Sequence, residues 1–92
     1  MAYQSINPNT GKLLKSYEHL TAAQLEKSLA TAEATFQKWK HTSYAHRAAI
    51  INKASALMAS HVDDFAKLAT QDMGKRIDEA RGEVKFSADI LA

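Results

Sequence analysis

Residues 72–84, which read DMGKRIDEARGEV, separate two helices in the fold that this sequence predicts. Gly74 follows a helical apolar pattern, and glycine commonly ends a helix because it adopts a left-handed conformation without strain. A new helical pattern begins around Ile77 or Asp78. Gly82 lies early in that second helix, where glycine costs on the order of 1 kcal/mol relative to alanine. Two explanations for Gly82 remain open: a close contact with a backbone or ligand, or a tolerated glycine.

The helices on either side of Gly74 are amphipathic. The third helix, at about 62–73, starts with Asp63 and Asp64, whose charge suits a helix amino terminus. Its predicted inner face consists of Phe65, Leu68, Ala69 and Met73. The fourth helix, at about 77–92, is predicted to carry Ala80, Val84, Ala88 and Leu91 on one face, and Phe86 and Ile90 on an adjacent one.

The fourth helix has no recognisable carboxyl end. Its apolar pattern continues through Ile90, Leu91 and Ala92 without a glycine, asparagine or proline. From this pattern we expect the chain to be a truncated piece of a longer protein, and a frayed carboxyl-terminal helix is the alternative.

Two longer helices are predicted before the third. Thr21 and Gln24 match a capping box that starts the first helix, at about 21–40. Its apolar stripe consists of Leu25, Leu29, Ala32, Phe36 and Trp39. Ser43 is suited to cap the second helix, at about 43–60. Its predicted buried face consists of Ala48, Ile51, Ala54, Leu57 and Met58.

A β-hairpin is predicted at the start of the chain. Residues 3–6 and 12–17 have β-compatible patterns, and residues 7–11, with the sequence NPNTG, supply the turn between them. The predicted fold class is therefore mainly α, with an amino-terminal hairpin in residues 1–18 and four helices in residues 19–92.

Composition excludes several classes of protein. The net charge of +2 is the difference between 12 basic and 10 acidic residues spread along the chain, so we predict no nucleic-acid partner. The absence of cysteine removes disulfides, thiolate metal sites and a cysteine nucleophile from these residues. No apolar run is long enough to cross a bilayer, so we predict no membrane partner and a cytoplasmic location.

Candidate chemical groups do not assemble into a site in this sequence. His19, His41, His46 and His61 are not at metal-ligand spacing, so we predict no metal site. No serine nucleophile motif occurs, and the three glycines are isolated, which excludes a phosphate-binding glycine loop. We therefore predict no catalytic and no cofactor-binding residue here.

A basic group surrounds the start of the fourth helix. Lys75, Arg76 and Arg81 are of the type that binds an anion, but acidic neighbours favour a solvated network of ion pairs. Those neighbours are Asp72, Asp78, Glu79 and Glu83.

The order of these motifs resembles the amino-terminal segment of the NAD(P)-dependent aldehyde dehydrogenase superfamily. Residues 6–11 look like the family's I-N-P-x-T-G turn, residues 34–39 contain its A-x-F-x-x-W motif, and Arg47 stands where its R-x-x-x-L segment begins. Residues 72–75 and 79–84 resemble its E-M-G-K-P and E-A-R-G-E-V motifs. Asp72 and Arg76 depart from the usual glutamate and proline. Within the superfamily, the sequences of these motifs most resemble those of bacterial succinate-semialdehyde dehydrogenases.

The resemblance implies a parent enzyme with an α/β architecture and a Rossmann-like cofactor domain, of which residues 19–92 would be a truncated part. Such an enzyme oxidises an aldehyde, here succinate semialdehyde, to the carboxylic acid with NAD(P)+ through a cysteine thiohemiacetal. The expected partners are the remainder of the enzyme, the aldehyde, and further copies in a homo-oligomer. The segment alone is expected to be inactive and to bind no cofactor.

The resemblance also implies that the last helix borders the substrate entrance. Phe86, Asp89 and Ile90 are then candidates for lining the aldehyde tunnel, although core packing explains Phe86 equally well. The alternative to a truncated enzyme is a self-contained helical module that binds a partner protein through its fourth helix.

Overall fold

A computed structural model describes residues 3–92, which form one hairpin and four helices. The elements are β1 (Tyr3–Ile6), β2 (Leu13–Tyr17), α1 (Ala22–Trp39), α2 (Tyr44–Ser60), α3 (Val62–Met73) and α4 (Ile77–Leu91). The predicted hairpin and four helices are confirmed. Residues 1 and 2 of the predicted hairpin segment lie outside the described residues.

The hairpin is closed by the predicted turn. The strands are antiparallel, with Tyr3 opposite Tyr17 and an irregularity between Ser5 and Ile6. The Asn7 carbonyl accepts a hydrogen bond from the Gly11 amide at 2.8 Å, and the Asn7 amide donates to the Lys12 carbonyl at 2.9 Å. Gly11 has a φ of +70°, which glycine adopts without strain. The predicted five-residue turn is confirmed.

Local capping groups start the first two helices where the sequence places them. At α1, the Thr21 hydroxyl accepts from the Gln24 amide at 3.1 Å, while the Gln24 side chain accepts from the Thr21 amide at 2.9 Å. At α2, the Ser43 hydroxyl accepts from the His46 amide at 3.1 Å. These bonds satisfy amides that have no partner inside the helix. Both predicted caps are confirmed.

Helix α4 packs between α2 and α3 through small side chains. The buried residues are Ser55 on α2, Ala66 on α3, and Ala80 and Ala88 on α4. The Ser55 hydroxyl donates to the Ala88 carbonyl at 2.7 Å, so the two backbones approach closely. The predicted inner face of α4 is confirmed, since Val84 and Leu91 are half-buried beside the two alanines.

The predicted buried faces of α2 and α3 are largely wrong. On α2, only Met58 of the predicted residues is even half-buried, and on α3 only Ala69 is. Large side chains at the other predicted positions are exposed, namely Ile51, Leu57, Phe65, Leu68 and Met73. The physical reason is that α4 contacts each helix through an adjacent small residue, Ser55 or Ala66, which turns the larger residues aside.

Helix α1 makes no extended contact with another element of residues 3–92. Four large residues of its stripe are 37–57% exposed, so the stripe is not a core within these residues: Leu25, Leu29, Phe36 and Trp39. The whole layer measures 47 × 37 × 14 Å. Its radius of gyration is 17.4 Å, against about 12 Å for a compact domain of this length.

The accessible surface area is also larger than that of a compact domain. It is 7548 Å², against about 5,300 Å² for a folded monomer of this mass. Three alanines form the buried apolar core, and no large side chain is fully buried among the described residues. Residues 3–92 therefore form a thin layer in which most of the large apolar side chains are exposed.

The turn of the hairpin rests on the end of α3. Gly74 ends α3 in the left-handed region, with a φ of +72°. A Cβ atom on Gly74 would lie 2.9 Å from Cγ of Pro8. In addition, the Ser5 hydroxyl donates to the Asp72 carboxylate. Gly74 thus meets two requirements at once, a positive φ and a close approach to proline.

We predict that Gly74→Ala destabilises the chain by roughly 1–3 kcal/mol, because alanine is strained at positive φ and its methyl group meets Pro8. Gly82→Ala is the matched control. Within residues 3–92, no atom lies within 4 Å of a Cβ built on Gly82, so alanine there is expected to stabilise α4 by about 0.5–1 kcal/mol. Urea denaturation followed by circular dichroism measures both. Equal effects of the two substitutions would contradict the proposed contact.

Candidate functional site

The three predicted tunnel residues lie together on α4, on the side away from the packed face. Phe86 and Ile90 are 65% and 67% exposed, and Asp89 is also exposed. Spacings of three and four residues bring their side chains onto one side of the helix. Core packing of Phe86 against residues 3–92 is therefore excluded. The side of α4 that carries Phe86, Asp89 and Ile90 is called the outer face below.

The basic group around the start of α4 forms ion pairs. Nε of Arg81 donates to Oδ1 of Asp63 at 2.8 Å, and Nη1 of Arg81 lies 3.3 Å from Oδ1 of Asp78. Lys75 pairs with Glu83. The predicted network is confirmed for Lys75 and Arg81, and its Arg81–Asp63 pair connects α3 with α4.

These pairs shift the titration of their members. The hydrogen bond from Arg81, followed by its charge, holds the pKa of Asp63 below its ordinary value. The hydrogen bond to Glu83 raises the pKa of Lys75. Both pairs are solvent-exposed, so their electrostatic contributions are modest and screened by salt.

The histidines lie apart in the structure. The His19 ring contacts the ring of Tyr3, with centroids 4.5 Å apart, and the His46 ring lies 6.0 Å from Trp39. Nδ1 of His61 is within hydrogen-bond distance of the Leu57 carbonyl, at 2.9 Å. No group of three potential ligands suited to a metal ion occurs within residues 3–92.

A mostly apolar groove separates the hairpin from α3. Its volume is about 750 Å³, and its lining includes Tyr3, Leu14, Tyr17, Leu68 and Met73. Ser5 and Asp72 close one part of it through their hydrogen bond. The groove is not predictable from the sequence, because it depends on how the hairpin packs on α3.

Arg47 holds the connection between α1 and α2, which we call the elbow (residues 40–43). Its Nε donates to the Thr42 hydroxyl at 2.8 Å, and its Nη2 donates to the carbonyls of Trp39 and Lys40 at 3.0 and 3.2 Å. Arg47 thereby caps the Lys40 carbonyl and adds a further donor to the Trp39 carbonyl, which also accepts from the amide and the hydroxyl of Thr42. From the sequence, Arg47 is apparent only as part of a motif. An arginine in the first turn of a helix was the available signal, because that position disfavours a cation unless it is paired.

None of the four helices in residues 3–92 combines the length and apolarity needed to cross a membrane.

Comparison with known proteins gives one consistent family. The profile of the aldehyde dehydrogenase family matches residues 1–92. A succinate-semialdehyde dehydrogenase (NADP(+)) of Deinococcus radiodurans is 35% identical over 89 residues, covering 97% of this chain and 19% of the relative. A malonate-semialdehyde dehydrogenase of Listeria monocytogenes is 36% identical over 80 residues, covering 87% of this chain and 16% of the relative.

Solved structures agree with this assignment. The crystal structure of succinic semialdehyde dehydrogenase from Streptococcus pyogenes, in complex with NADP+, matches with a TM-score of 0.91 and 33% identity. The match covers 98% of this chain and 20% of that one. The chain therefore belongs to the aldehyde dehydrogenase family, and it spans about one fifth of the length of these relatives.

We predict that Asp63→Asn lowers the free energy of unfolding at neutral pH and leaves it unchanged in strong acid. Because the folded pKa of Asp63 is lowered, its contribution is complete above the unfolded value of about 3.9 and is lost as pH falls through the folded value. Urea midpoints at about pH 7 and pH 2 measure this difference. Asp64→Asn removes the same charge from the same turn, but Asp64 has no ion pair within residues 3–92. Identical pH dependence of the two variants would refute a role for the Arg81 pair.

Proposed function

We propose that residues 1–92 are the amino-terminal part of an enzyme that oxidises an aldehyde to a carboxylic acid with NAD(P)+. The single observation that carries this proposal is the family match over the whole chain. The open layer supports it, since α1 presents an uncovered apolar stripe and α4 an uncovered outer face. In this proposal, residues 19–92 belong to the cofactor domain and the remainder of the enzyme covers those surfaces.

We propose a semialdehyde as the substrate class. The relatives reported above are named for succinate and malonate semialdehydes, which share an aldehyde and a carboxylate on a short chain. A homo-oligomer and a cytoplasmic location complete the proposal, and sedimentation and cell fractionation test them.

The residues of this chain serve as scaffold in the proposed enzyme. The sequence has no cysteine to form a thioester, and its three glycines lie apart at 11, 74 and 82. A cradle for the cofactor's phosphates needs backbone amides gathered in one glycine-rich turn, so these residues do not fit that role. We therefore propose that the nucleophile and the cofactor site lie elsewhere in the enzyme.

The proposal predicts activity for the product of the complete reading frame and none for residues 1–92 alone, which lack a nucleophile. Purified samples of both are given succinate semialdehyde, malonate semialdehyde or butanal with NAD+ or NADP+, and NAD(P)H is measured by absorbance. Butanal, which has no carboxylate, controls for the substrate class.

Two results would overturn the proposal. Turnover by residues 1–92 would contradict the scaffold role, and a complete product that reduces neither cofactor with any aldehyde would contradict the enzyme. A complete product that ends at Ala92 and folds as a cooperative monomer would instead favour a self-contained helical module.

The outer face of α4 carries a more specific prediction for the complete product. If Phe86 and Ile90 line the aldehyde tunnel, Phe86→Ala and Ile90→Ala lower kcat/KM for the aldehyde by roughly tenfold, because an apolar contact is lost. The KM for the cofactor stays unchanged. Leu68→Ala is the control, since Leu68 is equally exposed, at 61%, but lies on α3. If all three variants behave alike, the tunnel assignment is wrong.

A further inference from the structure

Charge is distributed unevenly along this chain. Residues 34–62 contain Lys38, Lys40, Arg47 and Lys53, together with three histidines, and no acidic residue. All ten acidic residues lie outside that segment. The end of α1, the elbow and the whole of α2 therefore carry positive charge that no carboxylate of the same segment offsets.

A groove of about 500 Å³ lies at the elbow. It is lined by Lys40, Thr42, Ser43, Tyr44 and Arg47. We call it the elbow groove. Two of its side chains are cations, the other three end in hydroxyl groups, and none is a carboxylate. The basic side chains at the start of α4 differ, because Lys75 and Arg81 are paired with acidic residues.

Arg47 is held in place before any ligand arrives. Nε and Nη2 make three hydrogen bonds to the elbow and to the end of α1. The guanidinium also lies 5.7 Å from the Trp39 ring and 5.8 Å from the Tyr44 ring. Its Nη1 makes no hydrogen bond with the part of the chain that the structure describes. Two N–H donors on a fixed cation remain available, so little side-chain entropy is lost on binding.

The other lining groups differ in what they offer a ligand. The Thr42 hydroxyl is committed, since it donates to the Trp39 carbonyl at 2.6 Å and accepts from Arg47. The Ser43 hydroxyl accepts from an amide, which leaves its proton available. The Tyr44 side chain is exposed, and the Lys40 ammonium lies 5.6 Å from the Phe36 ring on a flexible stem.

We propose that the elbow groove binds a phosphate dianion, either orthophosphate or the terminal phosphate of a small phosphate monoester. Nη1 of Arg47 and Nζ of Lys40 would supply two positive charges, and Ser43 and Tyr44 would add hydroxyl donors. A tetrahedral dianion accepts from several donors at once, and guanidinium donors match its geometry. This proposal does not depend on the oxidoreductase activity proposed above.

The test uses Trp39, which is the only tryptophan of the chain and lies beside Arg47. Sodium phosphate and glycerol 3-phosphate are titrated at constant ionic strength, with sodium chloride as the compensating salt, and tryptophan emission is recorded. We expect a saturable change with an affinity on the order of millimolar, consistent with an exposed site. Saturation by only one of the two compounds would identify the source of the phosphate.

The matched variants are Lys40→Gln and Lys53→Gln, which remove the same charge from the same acid-free segment. Lys40 lines the elbow groove and Lys53 does not. We expect Lys40→Gln to weaken phosphate binding about fivefold and Lys53→Gln to change it less than about twofold. Of the two lysines, only Lys40 would make a charge-assisted contact with the phosphate. Tyr44→Phe removes one hydroxyl from an exposed side chain and serves as a second groove variant if Lys40→Gln loses helical circular dichroism.

The proposal is overturned if sodium chloride alone reproduces the change in emission, or if Lys40→Gln and Lys53→Gln weaken binding equally. It is also overturned if no saturation occurs in a chain that retains its helices. Isothermal titration of the complete reading-frame product with the same compounds and variants gives an independent measurement, in which the same comparison of Lys40 with Lys53 decides.

Discussion

The close approach of α4 to α2 and α3 is the constraint on which this layer depends. It is possible because the residues at the crossing points are small: Ser55, Ala66, Ala80 and Ala88. Buried alanines remove little apolar surface from water, since the hydrophobic free energy scales with the area that is buried. The Ser55 hydroxyl adds a hydrogen bond between α2 and α4, and the Arg81–Asp63 ion pair adds one between α3 and α4. Three helices are thus joined without a core of large side chains.

The same packing has a consequence for function. When small residues occupy the contacts, most of the large apolar residues of α2, α3 and α4 remain exposed, and the apolar stripe of α1 is uncovered within residues 3–92. A layer with a thickness of 14 Å cannot enclose these residues. In the aldehyde dehydrogenase family this chain corresponds to about one fifth of a relative's length. The exposed stripes are consistent with surfaces that a larger enzyme covers.

Hairpin and helices are joined at one end of α3. The turn that contains Pro8 lies against Gly74, and the two motifs that supply these residues are 66 positions apart in the sequence. The departure at Arg76 is compatible with this arrangement. Its φ of −59° is close to the value that proline imposes, so either residue fits the start of α4. At the elbow, Arg47 caps the end of α1 although it belongs to the next helix, α2.

Local structure follows from short-range sequence patterns. Capping by Thr21 and Ser43, the stop at Gly74 and the turn at residues 7–11 depend on neighbours within a few positions, and each was predicted correctly. The family could also be recognised from the sequence, because its motifs are short and contiguous. Contacts between distant elements, in contrast, fix which face of α2 and α3 is buried, place Arg47 against the elbow, and bring Pro8 against Gly74. Periodicity identifies an apolar face of a helix, but it does not specify the partner that covers it. Here the nearest partner, α4, packs on small residues beside that face.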